Sequence, residues 1–236
     1  PLVCPAARNR PPVVISCKHI SGASSEEILL RRFHRLVSVL IWGLTVTPGL
    51  AEDWPQFRGI NRDAVSKETG LLRQWPADGP KVLWKVDVCE GYAAPAIVGD
   101  RAYFEDYDKD KALWLGRCVS MADGKQLWQV TDSKRIRSNH GITRTVPAVD
   151  GKLAFFLDPK CVLHAVDVAS GKDAWRKDLV AEYKTIIPPW YAGQCPLMEA
   201  DRLIIATGGN ALLVALDKKT GNAIWQTPNP DAQAMS

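Results

Sequence analysis

At 236 residues, 46% hydrophobic and 24% charged, the chain has the balance of one or two ordinary globular domains and contains no low-complexity tract. Its net charge of +4 resides in the first 51 residues, where Arg8, Arg10, Lys18, Arg31, Arg32 and Arg35 face only Glu26 and Glu27. The remainder carries equal numbers of basic and acidic side chains, which excludes the electrostatic footprint of a nucleic-acid-binding domain.

Residues 1–30 show no periodicity and are broken by Pro11-Pro12 and by Ser21 to Ser25, so they read as a disordered or non-native leader. Residues 31–51 have the order of a signal peptide: a basic head at Arg31, Arg32 and Arg35, an uncharged run from Leu36 to Leu50, and Gly49 and Ala51 at the −3 and −1 positions of a cut before Glu52. The run is short for a bilayer span of roughly 20 residues. An uncleaved anchor and a buried helix are the competing readings. The expected location is periplasmic or otherwise extracytoplasmic, with membrane contact only through this segment. The first residue is Pro and no Met precedes Met121, which reads as a fragment or a start set too far upstream.

Residues 52–80 are rich in Pro and Gly and form an N-terminal surface segment, expected to be anchored by Trp54, Phe57 and Trp75. From residue 81 the pattern is that of strands. Lys81 to Val86 is rich in β-branched and aromatic residues, as strands are. Four short strands then follow at 94–98, 101–105, 115–121 and 126–130, with a polar loop at 106–111 and an Asp123-Gly124 turn of expected type I′. The order recurs at 145–149, 152–157, 162–166 and 174–176, and again at 195–199, 202–207, 212–216 and 223–226. Between the last two units, Asp178 to Lys184 reads as one helical turn or a crossing loop.

Each unit closes on the same cassette of Gly, three variable residues and Trp: Gly124 and Trp128, Gly171 and Trp175, Gly221 and Trp225. A repeat at this spacing signals stacked supersecondary units, and four-stranded units of this length are blades. The expected fold is therefore all-β, a partial β-propeller over 81–236 with blades at about 87–130, 140–177 and 190–227. The six cassette residues are expected to be structural: Gly for the turn, Trp as an aromatic wedge between blades.

The sequences Ala215-Leu216-Asp217-x-x-Thr220-Gly221-x-x-x-Trp225 and Val166-Asp167-x-x-Ser170-Gly171-Lys172-x-x-Trp175 resemble the tryptophan-docking repeat of the pyrroloquinoline-quinone-type β-propellers. The first copy, Met121 to Trp128, reads as shortened before its turn. The stretch Trp54-Pro55-Gln56-Phe57-Arg58-Gly59-x-Asn61-Arg62-Asp63 resembles the start of exported bacterial members. The resemblance covers roughly 53–236 and implies rings of seven or eight blades. On that basis the chain is expected to be an N-terminal piece, with the strand at 81–86 coming from a closing blade. The fold serves quinone-dependent dehydrogenases as well as non-enzymatic scaffolds. The dehydrogenases stack pyrroloquinoline quinone between a Trp and a disulfide of adjacent cysteines, with calcium alongside. Cys89, Cys118, Cys161 and Cys195 are well separated, as disulfide partners or as buried thiols.

The functional expectation is thus a non-catalytic extracytoplasmic scaffold that binds proteins or ligands, with no cofactor assigned. The alternative is a quinone-dependent alcohol or sugar dehydrogenase whose site lies partly in further blades. No catalytic triad, nucleophile elbow or phosphate loop is visible, so no catalytic residue is assigned. The one candidate ligand loop is 134–144, with Arg137, His140 and Arg144 as anion contacts or as solvated surface. Asp106, Asp108 and Asp110 alternate like calcium ligands but lack the Gly and distal Glu of an EF-hand. His164, alone in a strand, reads as packed or solvent-facing, not as a metal ligand.

Overall fold

A computed structural model describes residues 52–137 and 141–230. The expected leader and signal peptide, 1–51, lie outside the described residues, as does His140. Among the described residues no helix is long and apolar enough to cross a membrane.

Alternation of apolar and polar side chains, punctuated by Gly turns, folds the chain into three antiparallel four-stranded meanders. Sheet 1 contains β1 (Ala96–Val98), β2 (Arg101–Asp108), β3 (Leu113–Ser120) and β4 (Gln126–Ser133). Sheet 2 contains β5 (Ala148–Val149), β6 (Leu153–Leu157), β7 (Val162–Asp167) and β8 (Asp173–Asp178). Sheet 3 contains β9 (Leu197–Glu199), β10 (Arg202–Ala206), β11 (Ala211–Asp217) and β12 (Ala223–Pro228). A single-turn helix, α1 (Leu179–Tyr183), joins sheets 2 and 3, so the stretch left open between turn and loop is helical. Asp178 caps its first turn by accepting from Ala181 N–H, and Lys184 ends it in the left-handed conformation.

The central strands of sheet 2 are apolar almost without interruption because both faces are covered. Phe156, Ala154 and Val166 pack against Tyr103, Trp114 and Cys118 of sheet 1. Phe155, Leu163 and Ala165 pack against Leu203, Ile205 and Leu216 of sheet 3. Each such side chain contributes ~1.5–3 kcal/mol on burial, so sheet-on-sheet contact is the main source of order.

The cassettes fix the spacing of the sheets. Trp128 of β4 donates its Nε1–H to Val168 O (2.9 Å), and Trp175 of β8 does the same to Lys218 O (2.9 Å). Each ring lies on the Gly of the next sheet's turn: a Cβ at Gly171 would fall 2.5 Å from Trp128 Cγ, and one at Gly221 2.8 Å from Trp175 Cδ2. Both glycines have φ near +70°, so the residue is needed for the turn and for the close approach.

Several expectations need correction. Residues 81–86, expected as a strand of a closing blade, pair with no strand among the described residues. Instead Trp84 and Val86 cover the outer face of sheet 1, and Trp84 Nε1–H reaches Met121 O (2.8 Å) above Gly124, repeating the Trp128 and Trp175 contacts. The first cassette is not shortened. Gly124 N–H bonds Ser120 O just as Gly171 bonds Asp167 O and Gly221 bonds Asp217 O, with Ser120 standing where the others have Asp. Its turn is not type I′, since Gly124 but not Asp123 has positive φ. Strand β2 runs through Asp106 and Asp108, removing them from the predicted loop. Phe57 and Trp75 are not anchors; they are 54% and 55% exposed, and Trp54 alone of the three packs.

Candidate functional site

The antiparallel order gathers the β2–β3, β6–β7 and β10–β11 loops at one end, together with the connections 134–147 and 179–196. A cross-strand pair repeats there. Phe104 lies opposite Arg117 and Phe156 opposite His164. Two residues beyond each Phe stands an acid: Asp106, which pairs with Arg117 (2.9 Å), and Asp158, which faces His164 Nε2 (3.5 Å). Sheet 3 replaces both members, with Thr207 and Val214 at the corresponding places.

Between sheets 1 and 2 the Asp158–His164 pair joins a buried network. The Lys134 ammonium, at the end of β4, lies 3.1 Å from both Asp132 Oδ2 and Asp158 Oδ2. Burial works against its charge, but the two carboxylates outweigh that and raise its pKa. Arg176 of β8 adds a contact to Asp132 at 3.6 Å. His164 is fully buried, stacked on Trp114 with ring centroids 4.4 Å apart, and its Nδ1 has no partner.

Glu105 lies beneath. Burial, more than the nearby Asp158 charge, pushes its pKa up to about 8, against hydrogen bonds from Trp114 and Thr145. Trp114 Nε1–H donates to Glu105 Oε2 (2.8 Å). Thr145 Oγ1 is 2.9 Å from both Glu105 Oε1 and Leu157 O, two acceptors for one hydroxyl proton. A protonated Glu105 resolves this: it donates to Thr145, which donates to Leu157 O. Gly116 on β3 leaves room for Trp114, since a Cβ would come within 3.1 Å of that ring.

The predicted ligand loop converges elsewhere. Arg137 uses its backbone N–H and C=O on the Tyr191 hydroxyl (3.1 and 2.9 Å). The Arg144 guanidinium donates to Trp190 O (2.5 Å) and Tyr191 O (3.3 Å). Lys160 lies over the Tyr191 ring at 5.0 Å. Arg137 and Arg144 are therefore brought together at the connection entering sheet 3, and Arg144 is spent on backbone.

Cation and quinone donors can be tested against this geometry. Asp106 and Asp108 are paired with Arg117 and Lys111. Asp132, Asp158 and His164 have donor atoms within 4.8 Å of one another, a grouping the sequence did not reveal. The Lys134 ammonium already sits between its two carboxylates, so the set is neutralised internally. Cys118 and Cys161 are buried thiols with pKa pushed up to about 11 and about 12 by desolvation, and no two of the six cysteines in the sequence are adjacent. These residues do not fit the stacked quinone that the resemblance implies.

At the opposite end, a cavity of about 480 Å³ lies between sheets 1 and 2, floored by Val98 and Val168. At the equivalent place between sheets 2 and 3, Lys218 pairs with Asp150 (2.9 Å).

The family model described as outer membrane protein assembly factor BamB matches residues 113–236. This chain belongs to that family of pyrroloquinoline-quinone-like repeat proteins. Quinohemoprotein alcohol dehydrogenase from Comamonas testosteroni is similar at 19% identity and a TM-score of 0.52, over 74% of this chain and 27% of that one. BamB from Moraxella catarrhalis is similar at 17% identity and a TM-score of 0.44, over 65% of this chain and 45% of that one. The chain thus spans less than half the length of either structure. No curated protein matches it. The three sheets are part of a β-propeller, as their repeat indicated.

The sequence did hold a signal for the missed network. Aligning Tyr103-Phe104-Glu105-Asp106 on Phe155-Phe156-Leu157-Asp158 superposes the two acids, and with them Arg117 and His164. Lys134 and Glu105 had none, because each also meets a partner remote in sequence, Asp158 and Thr145.

Proposed function

We propose that this protein is a non-catalytic, extracytoplasmic propeller scaffold that binds a protein partner. The observation that carries the reading is the match of residues 113–236 to the family of an outer membrane assembly factor. The state of the polar groups supports it: the charged clusters at the loop end are committed to internal ion pairs and backbone contacts. The basic head and apolar run at 31–50 support export, to the periplasm where an outer-membrane assembly role would be exercised.

The dehydrogenase reading rests on likeness of fold, and fold alone does not specify chemistry. Titration of the purified protein with pyrroloquinoline quinone and calcium, followed by tryptophan fluorescence and by dye reduction with an alcohol, separates the two. The scaffold reading expects no saturable quenching and no reduction; saturable quinone binding with turnover overturns it. A reporter enzyme active only outside the cytoplasm, fused behind residues 1–51, checks export.

A further inference from the structure

The stretch Asp53 to Arg62 reaches the first strand of every sheet. Trp54 exchanges both backbone hydrogen bonds with Ile97 of β1 (2.8 and 2.9 Å), and Asp53 Oδ1 accepts from Gly99 N–H (2.8 Å). Pro55 O accepts from Val149 N–H of β5 (2.8 Å). Gln56 Oε1 accepts from Met198 N–H of β9 (3.0 Å), and Arg62 Nη1 returns to Met198 O (3.3 Å) and to Glu199 Oε2 (2.7 Å). Strands β1, β5 and β9 are edge strands, and an unpaired edge is a template for an extended segment. One segment thus satisfies three successive edges.

We propose that these three edges form a single peptide-binding groove, and that residues 53–62 occupy it as an intramolecular strap which a second strap of the same sequence can replace. The groove specifies its ligand position by position. It pairs one residue in both directions, at Trp54. It next offers a lone donor, Val149 N–H, to Pro55, which has no N–H to leave unsatisfied. It then offers Met198 N–H to a side-chain amide, and Met198 O with the Glu199 carboxylate to a cation. The chain must turn between the amide and the cation, and it does so with Arg58, Gly59 and Arg62 all at positive φ and Trp54 folded over Gly59.

The contacts also make the strap detachable. Phe57 and Ile60 are 54% and 55% exposed, so beyond Trp54 the strap holds by hydrogen bonds. Each is worth ~0.5–1.5 kcal/mol net, placing release among the local openings that native proteins sample below global unfolding.

The test uses the full chain and a fluorescein-labelled peptide of residues 52–66, read by anisotropy, with amide exchange at Val149 and Met198. Gln56→Ala with Arg62→Ala loosens the resident strap; Arg62→Ala alone, at an exposed side chain, serves if the double variant is poorly folded. The loosened protein is expected to bind the peptide at least ~10-fold more tightly than the wild type, the ratio that ~1.4 kcal/mol of lost competition gives. Exchange at the two amides should rise in the variant and fall again with peptide. A peptide carrying the same two alanines should not bind. The proposal is overturned if the loosened variant takes up no peptide, or if both peptides bind alike.

Discussion

Glu105 is the residue whose chemistry departs most from its ordinary state. Its pKa of about 8 in the folded protein stands against 4.5 in an unfolded chain, and the shift is the signature of burial. Below pH 4.5 the carboxyl is neutral in both states. Between there and about pH 8 the unfolded chain releases its proton while the folded chain keeps it, so stability declines as pH rises. The decline ends once the folded state ionises too. Over the window the loss is on the order of a few kcal/mol. Glu105→Gln keeps the shape and the donor to Thr145 but cannot ionise. Urea melts should therefore show the variant gaining on the wild type from pH 5 to pH 8, with the smallest difference at pH 5. A parallel pH dependence in the two proteins would place the titration elsewhere. None of this was legible in the sequence, where Glu105 is one acid in a polar stretch. Its environment is made by Trp114 across the hairpin and Thr145 from the connection to the next sheet, neither of them a sequence neighbour.

At the scale of the strand and turn, the sequence was far more readable, because turn chemistry and strand alternation are local. The Gly and the Trp four residues on stand out in the sequence, and Gly171 and Gly221 are floors on which Trp128 and Trp175 of the preceding sheets rest. The misreadings came from tertiary causes. Residues 81–86 have strand composition but no partner strand among the described residues, and Ser120 hid the equality of the first turn by replacing Asp. The contribution of the Gly–Trp contact can be isolated by comparing two substitutions. Gly151 and Gly171 have φ of +85° and +70°, but a Cβ at Gly151 meets nothing within 4 Å. Gly151→Ala is expected to cost only the left-handed backbone term, ~1–2 kcal/mol. Gly171→Ala adds a collision with Trp128, and overpacking of that kind costs a further ~1–3 kcal/mol. Denaturant midpoints of the two variants measure the difference. Equal losses would mean that the Trp ring moves aside freely and the cassette does not set the sheet spacing.

Across the whole molecule the three sheets form a polar array with unlike ends. The first end is covered: Trp84 and Val86 lie on sheet 1, with Trp84 repeating the hydrogen bond of Trp128 and Trp175. At sheet 3 the same surface is uncovered among the described residues. Leu213 stands at the register position of Leu163, opposite the aligned strand pairs Ala215–Trp225 and Ala165–Trp175, yet Leu213 is 36% exposed where Leu163 is 0%. Leu212, Ile224 and Trp225 are exposed beside it. A contiguous apolar surface of this kind marks an interaction site. Geometry sets what fits it: a sheet bearing a turn with a bare Gly under Trp225 and a carbonyl in reach of its Nε1–H.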